Sequence, residues 1–156
     1  MPKSPPTQVS EVMVKKVIKA RQEASIYRIS RSMADNNISC VVITTDHHVI
    51  GLITERDITR KMVSRNRDPT KVKARDIMSH PVVTVPPDTD IVVAARLMKE
   101  HHFRRFPVVK DGSLVGIITQ TDVSAAMGNL IKHLNWKLVT AKITIEEYTK
   151  ELQQLI

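Results

Sequence analysis

A threonine that is followed three positions later by an aspartate occurs twice in the sequence, as Thr54 with Asp57 and as Thr119 with Asp122. Each pair comes just before a short helical pattern, and a threonine with an acidic residue at this spacing forms a capping box at a helix start. The same carboxylate could instead accept hydrogen bonds from hydroxyl groups of a ligand, because charged acceptors hold such donors strongly. The spacing alone favours capping, and both interpretations stay open at this point.

Three arginines could bind a phosphate group. Arg56 lies between Thr54 and Asp57, whereas Arg104 and Arg105 precede a strand pattern. A guanidinium group suits phosphate because its planar donors engage two oxygens at once. Successive strand residues point to opposite faces, so at most one of Arg104 and Arg105 should enter a cleft directly. The alternative is that all three arginines are solvated surface charges.

The sequence predicts neither a metal site nor a catalytic residue. His47–His48 and His101–His102 are adjacent pairs that do not converge easily on one ion, and Cys40 is the one cysteine. These histidines are expected in exposed turns, and Cys40 is expected to be buried in an apolar strand. The sequence contains no Gly-rich phosphate loop, no nucleophile elbow and no catalytic His–Cys pair. We therefore expect a protein that is not an enzyme.

An internal repeat determines where these residues lie. A shift of 65 residues aligns the chain with itself without gaps, so that Gly51 meets Gly116 and Asp57 meets Asp122. Chance does not sustain one register over so long a stretch, and a repeat of this kind decides the fold. Further identical pairs are Met13 and Met78, Val17 and Val82, Ile26 and Ile91, Arg31 and Arg96, Met33 and Met98, Asp46 and Asp111, and Met62 and Met127.

Each repeat has the element order β-α-β-β-α. Short β-branched runs predict strands, and apolar residues at helical spacing predict helices. One repeat alone would bury too little surface to be stable. We therefore expect an α/β fold of the α+β type, with two repeats packed around a pseudo-two-fold axis and clefts between them. In the second repeat the predicted elements are a strand over 82–85, a helix after Asp90, paired strands over 106–109 and 114–118 with a turn at Asp111–Gly112, and a helix from about 119 to 127.

These features divide the chain into five segments. The N-terminus is Pro-rich and expected to be flexible, and the C-terminal tail has the apolar spacing of one or two amphipathic helices. Two alternatives remain for that tail, which are packing on its own domain and contact with a partner. The segments are 1–9 for the flexible N-terminus, 10–65 for repeat 1, 66–72 for the linker, 73–128 for repeat 2 and 129–156 for the helical tail.

The composition narrows the classes of function. The net charge is +8, from 24 Lys and Arg against 16 Asp and Glu, and such a surface suits an anionic ligand, an acidic partner protein or nucleic acid. Aromatic residues make up only 3% of the chain, which disfavours nucleic acid because few side chains can stack on bases. The sequence shows no signal peptide and no run of about 20 apolar residues. A cytoplasmic protein without a membrane contact is expected.

Two segments of the chain resemble the CBS domain, which is named after cystathionine β-synthase. They are Gly-Leu-Ile-Thr-Glu-Arg-Asp at 51–57 and Gly-Ile-Ile-Thr-Gln-Thr-Asp at 116–122, and the segments 76–85 and 106–109 strengthen the likeness. The resemblance covers about residues 10–128, and two such domains in tandem resemble a Bateman module. It implies a regulatory protein that requires no cofactor and that binds AMP, ADP, ATP or S-adenosylmethionine.

The resemblance also implies roles for individual residues. In the family, the aspartate of the Thr-x-x-Asp motif hydrogen-bonds the ribose hydroxyls, which implies this role for Asp57 and Asp122. The stretch 101–107 is similar to the phosphate-binding stretch of the AMP-activated kinase regulatory subunits, which implies that Arg104 and Arg105 hold a phosphate. The expected ligand-binding residues are Thr54, Arg56, Asp57, Thr89, Ala94, Arg104, Arg105, Thr119 and Asp122, of which Thr89 and Ala94 would shape the adenine wall.

The two repeats differ at the arginine pair, because repeat 1 has Ser39 and Cys40 at the places of Arg104 and Arg105. We therefore expect one strong site and one weak or empty site. The arginine pair favours a phosphate, so AMP is the preferred ligand of the expected sensor. The family resemblance implies a homodimer, and the regulated protein is not encoded visibly. The alternatives are a protein–protein adaptor without a ligand and a basic nucleic-acid-binding protein.

Overall fold

The computed structural model describes residues 4–140 and 142–155. Residues 1–3 and 156, at the ends of the predicted N-terminus and tail, lie outside the described residues, as does residue 141. Helices and strands alternate along the chain in the predicted order. The elements are α1 (Val9–Val12), β1 (Lys19–Ala20), α2 (Ile26–Asp35), β2 (Cys40–Thr45), β3 (His48–Thr54), α3 (Glu55–Lys61), α4 (Ile91–His101), β4 (Arg105–Lys110), β5 (Ser113–Thr119), α5 (Gln120–Val139) and α6 (Ile145–Gln153), with 3-10 turns at Val63–Arg65 and Ala74–Asp76.

The strands form a three-stranded sheet in the order β1-β2-β3 and a two-stranded sheet of β4 and β5. In the first sheet, β1 runs parallel to β2, and β2 runs antiparallel to β3. The strand predicted over 82–85 was too long, because only Val85 pairs, in a single parallel bridge to Val108. Pro86 and Pro87 follow at once and lack the N–H groups that would continue the ladder.

Isolated backbone bridges repeat with the same shift of 65 residues as the sequence. Leu52 pairs with Ser79, and Val14 pairs with Ile117, which are the same two positions in the two repeats. Each bridge joins the last strand of one repeat to the segment that precedes the other repeat. The same relation holds for Ser25 with Lys73 and Gln8 with Asp90.

The chain divides into two compact units, and each takes residues from both repeats. The unit that we name the first-repeat unit comprises 15–84 and 109–116, and the second-repeat unit comprises the described residues of 1–14, 85–108 and 117–156. Each unit has an apolar core of its own. The core of the first-repeat unit contains Ile26, Ile29, Met33, Val41, Ile43, Ile53, Met62, Val72, Ala74 and Ile77. The buried residues of the second-repeat unit include Val9, Val85, Ile91, Ala94, Met98, Phe106, Val108, Ile118, Val123, Ala126 and Leu134.

Both hairpins turn through two residues with positive φ. The turn predicted at Asp111–Gly112 is confirmed, with φ angles of 49° and 76°, and the first hairpin turns at Asp46 and His47 with φ angles of 47° and 72°. Two successive left-handed residues make the type I′ turn that matches the twist of the flanking strands. The two turns therefore set the register of the strands that lead into Thr54 and Thr119.

The helix that was predicted to end near Met127 continues without a break to Val139. Gly128 does not stop it, because a glycine inside a helix costs only about 1 kcal/mol relative to alanine. Leu134, which is 2% exposed, offsets that cost by packing in the core. A separate helix, α6, follows at Ile145–Gln153 and starts with a capping box of Thr144 and Glu147. Among the residues that the structure describes, no helix has both the length and the apolar character needed to cross a bilayer.

Candidate functional site

The second Thr-x-x-Asp motif forms a capping box at the start of α5. The backbone N–H and the hydroxyl of Thr119 both donate to Oδ2 of Asp122, at 2.8 and 2.7 Å. The backbone N–H of Asp122 in turn donates to the Thr119 hydroxyl oxygen at 3.3 Å. The helix therefore uses one of the two carboxylate oxygens.

The first motif has the same geometry at the start of α3. The backbone N–H and the hydroxyl of Thr54 donate to Oδ2 of Asp57 at 2.9 and 2.7 Å, and the Asp57 N–H donates to the Thr54 hydroxyl oxygen at 3.2 Å. Both motifs thus fulfil the capping interpretation, and in both the oxygen that remains for a ligand is Oδ1.

The two motifs differ at Oδ1. The ammonium group of Lys61 forms an ion pair with Oδ1 of Asp57 at 2.9 Å and also donates to the backbone carbonyl of Ile77 at 2.7 Å. The hydroxyl of Ser79 donates to the same Oδ1 at 3.4 Å. The Asp57 side chain is only 13% exposed. Both of its oxygens are therefore occupied by groups of the protein itself.

These contacts change the acidity of Asp57. Burial raises the pKa of the carboxyl, but the hydrogen bonds from Lys61 and Thr54 and the charge of Lys61 outweigh burial, so the pKa lies below its ordinary value. Hydrogen bonds to the charged form and a nearby opposite charge both stabilise a carboxylate. Asp57 is therefore held as an anion in a pair with Lys61.

Oδ1 of Asp122 accepts no hydrogen bond from any residue that the structure describes. The position that corresponds to Lys61 in the second repeat is Ala126, which is buried and uncharged. The second repeat thus presents a carboxylate oxygen that a ligand can reach without displacing a cation.

The arginine pair lies beside the second motif. The backbone N–H of Gln120, the first residue of α5, donates to the carbonyl of Arg104 at 2.8 Å. Arg104 is exposed, whereas Arg105 begins β4, is half-buried and has interactions of its own. In the first repeat the corresponding bond runs from Glu55 to Ser39 at 3.2 Å. Equivalent backbone positions therefore carry a guanidinium group only in the second repeat.

The remaining predicted residues lie in different surroundings. Arg56 is exposed in the first turn of α3. Thr89 is half-buried, and its carbonyl accepts the N–H of Val9 at 2.9 Å. Ala94 is 0% exposed in α4, which packs against α5. Among the described residues, no hydrogen bond joins Thr89 or Ala94 to the second motif, so their role at an adenine wall stays a prediction.

A cleft in the first-repeat unit was missed by the sequence analysis. It has a volume of about 470 Å³, which lies in the range of small-molecule sites. Its walls include Ala24 and Ile29, which are the first-repeat equivalents of Thr89 and Ala94. The shift of 65 residues would have found both. The other lining residues are Lys19, Ala20, Arg21, Glu23, Arg28, Ser32 and Val41.

The side chains considered for metal binding do not assemble. His47, His48, His101 and His102 are exposed, as predicted. Cys40 was expected to be buried, but it is half-buried in β2 because it is the first residue of that strand. Within residues 4–140 and 142–155, no three His, Cys, Asp or Glu side chains lie close enough to hold a metal ion.

Comparison with known proteins identifies the repeats. The family model of the CBS domain matches residues 9–64 and again residues 74–129, which together are most of the chain. This chain belongs to the CBS-domain family. The tandem CBS resemblance predicted from the sequence is thereby confirmed, and a CBS pair is a regulatory module.

Relatives and solved structures agree with this assignment. An uncharacterized protein of Methanocaldococcus jannaschii is 45% identical over 139 residues, which cover 89% of this chain and 70% of that protein. An uncharacterized protein of Methanopyrus kandleri is 37% identical over 148 residues, which cover 94% of this chain and 70% of that protein. A solved CBS-domain pair in complex with 5′-methylthioadenosine and S-adenosyl-L-methionine is 29% identical, with a TM-score of 0.72 over 80% of this chain and 98% of that chain. The predicted fold of two CBS repeats is confirmed.

Proposed function

We propose that this CBS pair is a sensor, and not an enzyme, that binds an adenosine-containing ligand with a phosphate group at the second repeat. AMP is the preferred ligand, with ADP and ATP as the related ones. The observation that carries the proposal is the carboxylate of Asp122, which caps α5 through Oδ2 and leaves Oδ1 without a partner among the described residues.

The free oxygen suits a ribose. A carboxylate oxygen has two lone pairs, so Oδ1 of Asp122 can accept both adjacent hydroxyls of the sugar. Hydrogen bonds to a charged acceptor contribute roughly 1.5–3 kcal/mol. The capping box fixes the carboxylate through Thr119 before the ligand arrives, which reduces the entropy that binding must remove.

The phosphate is assigned to the arginine pair. The hydrogen bond between Gln120 and the Arg104 carbonyl brings the exposed Arg104 to the first turn of α5. α5 has 20 residues, and the positive end of its dipole favours an anion at this end. The solved relative that holds 5′-methylthioadenosine and S-adenosyl-L-methionine supports the adenosine part of the proposal, and the guanidinium group supports the phosphate.

The proposal is tested by calorimetric titration with AMP, ATP and S-adenosylmethionine at physiological salt. We expect saturable binding that Asp122→Asn weakens about 10- to 100-fold, the equivalent of one charged hydrogen bond. Asp57→Asn makes the same charge change in the other motif and is the matched control, with unchanged affinity. Arg104→Gln should weaken AMP but leave S-adenosylmethionine unchanged.

The failure of the proposal is equally definite. If none of the three ligands releases heat or raises the melting temperature of the wild-type protein, the sensor assignment is wrong and an adaptor without a ligand takes its place. Binding that survives Asp122→Asn unchanged would remove the ribose from this carboxylate and leave Asp122 with helix capping alone.

A further inference from the structure

Lys61 sits at the place where a ligand would meet the first repeat. Its ammonium group lies between two acceptors, Oδ1 of Asp57 at 2.9 Å and the carbonyl of Ile77 at 2.7 Å. We propose that Lys61 is a specificity-determining residue that occupies the ligand oxygen of Asp57 and so confines adenosine binding to the second repeat. This inference rests on the proposed function.

The first step is that a ribose cannot use the other oxygen of Asp57. Oδ2 already accepts the N–H and the hydroxyl of Thr54 in the capping box. The equivalent oxygen of Asp122 is used in the same way by Thr119. In both repeats a sugar hydroxyl must therefore approach Oδ1.

The second step is that Lys61 competes well for this oxygen. An ammonium group makes charge-assisted hydrogen bonds, which are about twice as strong as those of a neutral hydroxyl. Displacement would also leave the Lys61 charge beside the Ile77 carbonyl without its counter-ion, and the side chains of Lys61 and Asp57 are only 35% and 13% exposed. Separating a pair in such surroundings is unfavourable.

The third step is the comparison of equivalent positions. Ser79 pairs with Leu52 as Val14 pairs with Ile117, so the backbone has the same geometry in both repeats. The side chains differ, because Ser79 donates to Asp57 and its counterpart Val14 has no donor. Ala126 replaces Lys61 in the same way. Both groups that fill Oδ1 in the first repeat are thus absent from the equivalent positions of the second.

The test asks whether removing Lys61 creates a ligand site. In a protein that carries Asp122→Asn, which weakens the second repeat, we expect Lys61→Met to restore saturable binding of adenosine in calorimetric titration, by at least 10-fold over Asp122→Asn alone. Adenosine is the probe because the first repeat has Ser39 in place of Arg104 and offers no guanidinium group there for a phosphate. Adding Asp57→Asn to the double variant should abolish the restored binding.

Matched controls isolate the ion pair. Lys71→Met removes a lysine of the same unit that pairs with Asp68 at 3.8 Å on the surface, and it should restore nothing. Lys61→Gln keeps a donor for the Ile77 carbonyl while it removes the charge, so it replaces Lys61→Met if that variant melts more than 10 °C below the wild type. Either variant with a normal melting curve decides the question.

Each outcome separates the two proposals. Adenosine binding that stays absent in the Lys61 variants, or a wild-type protein with two equal sites lost separately by Asp57→Asn and Asp122→Asn, overturns the role of Lys61. Wild-type protein without any site together with a Lys61→Met protein that binds adenosine supports the role of Lys61 and overturns the assignment to the second repeat. Absence of binding in both proteins overturns both proposals.

Discussion

Each motif aspartate has two carboxylate oxygens, and the capping box uses only one of them. Oδ2 of Asp57 and Oδ2 of Asp122 accept from the threonine three positions before, with distances that agree within 0.1 Å. Capping and ligand binding are therefore compatible roles for one residue. What distinguishes the repeats at this scale is the occupant of Oδ1, which is Lys61 in one and none of the described residues in the other.

The ion pair of Asp57 predicts a dependence of stability on pH. Burial raises the pKa of Asp57, but the hydrogen bonds from Lys61 and Thr54 outweigh it and hold the pKa below the ordinary value. An aspartate in the unfolded chain titrates near pH 4, at about 3.9. The contribution of Asp57 is therefore complete above that pH and is lost as the pH falls through the lower folded pKa.

The measurement is the free energy of unfolding of wild type and of Asp57→Asn by urea denaturation at pH 7 and at pH 2.5. We expect the wild type to be more stable by about 1 kcal/mol at pH 7, the net value of a hydrogen bond that the amide replaces poorly. The difference should shrink toward zero at the lower pH. An equal difference at both values would show that Asp57 does not gain stability from ionisation in the folded state.

At the scale of elements, Gly51 in β3 allows the segment before the second repeat to approach the sheet. A Cβ atom at this position would overlap the sulfur of Met78 and would lie 3.1 Å from the Met78 Cβ. We expect Gly51→Ala to lower the free energy of unfolding by about 1–3 kcal/mol, as overpacking does. The loss should be smaller in a protein that already carries Met78→Ala, because the overlapping atoms are gone.

The same substitution at another glycine is the control. Gly128 lies in α5, and nothing lies within 4 Å of a Cβ atom there. Gly128→Ala should therefore stabilise the protein by about 0.5–1 kcal/mol through helix propensity. Urea denaturation of the three variants beside the wild type measures both effects. A Gly51→Ala protein as stable as the wild type would mean that Met78 moves aside without cost.

Local features of the elements were predictable from the sequence, and contacts between distant residues were not. The repeat register gives the paired strands, the turn at Asp111–Gly112 and the two capping motifs, because each depends on residues a few positions apart. Lys61 and Ile77 are 16 positions apart, and nothing in the repeat announces their contact. The end of α5 was missed because Gly128 suggests a stop, while the burial of Leu134 keeps the helix intact.

At the scale of the whole molecule, neither repeat is a self-contained stretch of chain. Each compact unit contains the last strand of one repeat paired with the segment that precedes the other, through Leu52 with Ser79 or Val14 with Ile117. The ion pair of Lys61 lies on one of these segments, because Ile77 and Ser79 precede the second repeat. The state of the Asp57 carboxylate is therefore connected directly to the chain that leads from one repeat into the next. The homodimer and the cytoplasmic location stay predictions.

The tail provides a prediction for the molecule as a whole. No residue of α6 is buried, and its contacts with α5 include a hydrogen bond from Tyr148 to Asn135 at 2.7 Å and an ion pair of Lys137 with Glu151 at 4.0 Å. Removal of residues 141–156 should lower the free energy of unfolding by only about 1–2 kcal/mol, the sum of one hydrogen bond and one exposed ion pair. Nucleotide affinity should remain within about 2-fold, because no ligand residue lies in the tail.

A cut after Gly128 is the contrasting truncation. It removes Leu134, which is 2% exposed, and loss of one such buried side chain alone costs about 2–5 kcal/mol. Urea denaturation should therefore separate the two truncated proteins clearly, and calorimetric titration of the longer one shows whether the site is intact. If removal of 141–156 abolishes nucleotide binding, the tail belongs to the binding machinery. If both truncations cost the same, α5 beyond Gly128 contributes no packing to the second-repeat unit, contrary to the burial of Leu134.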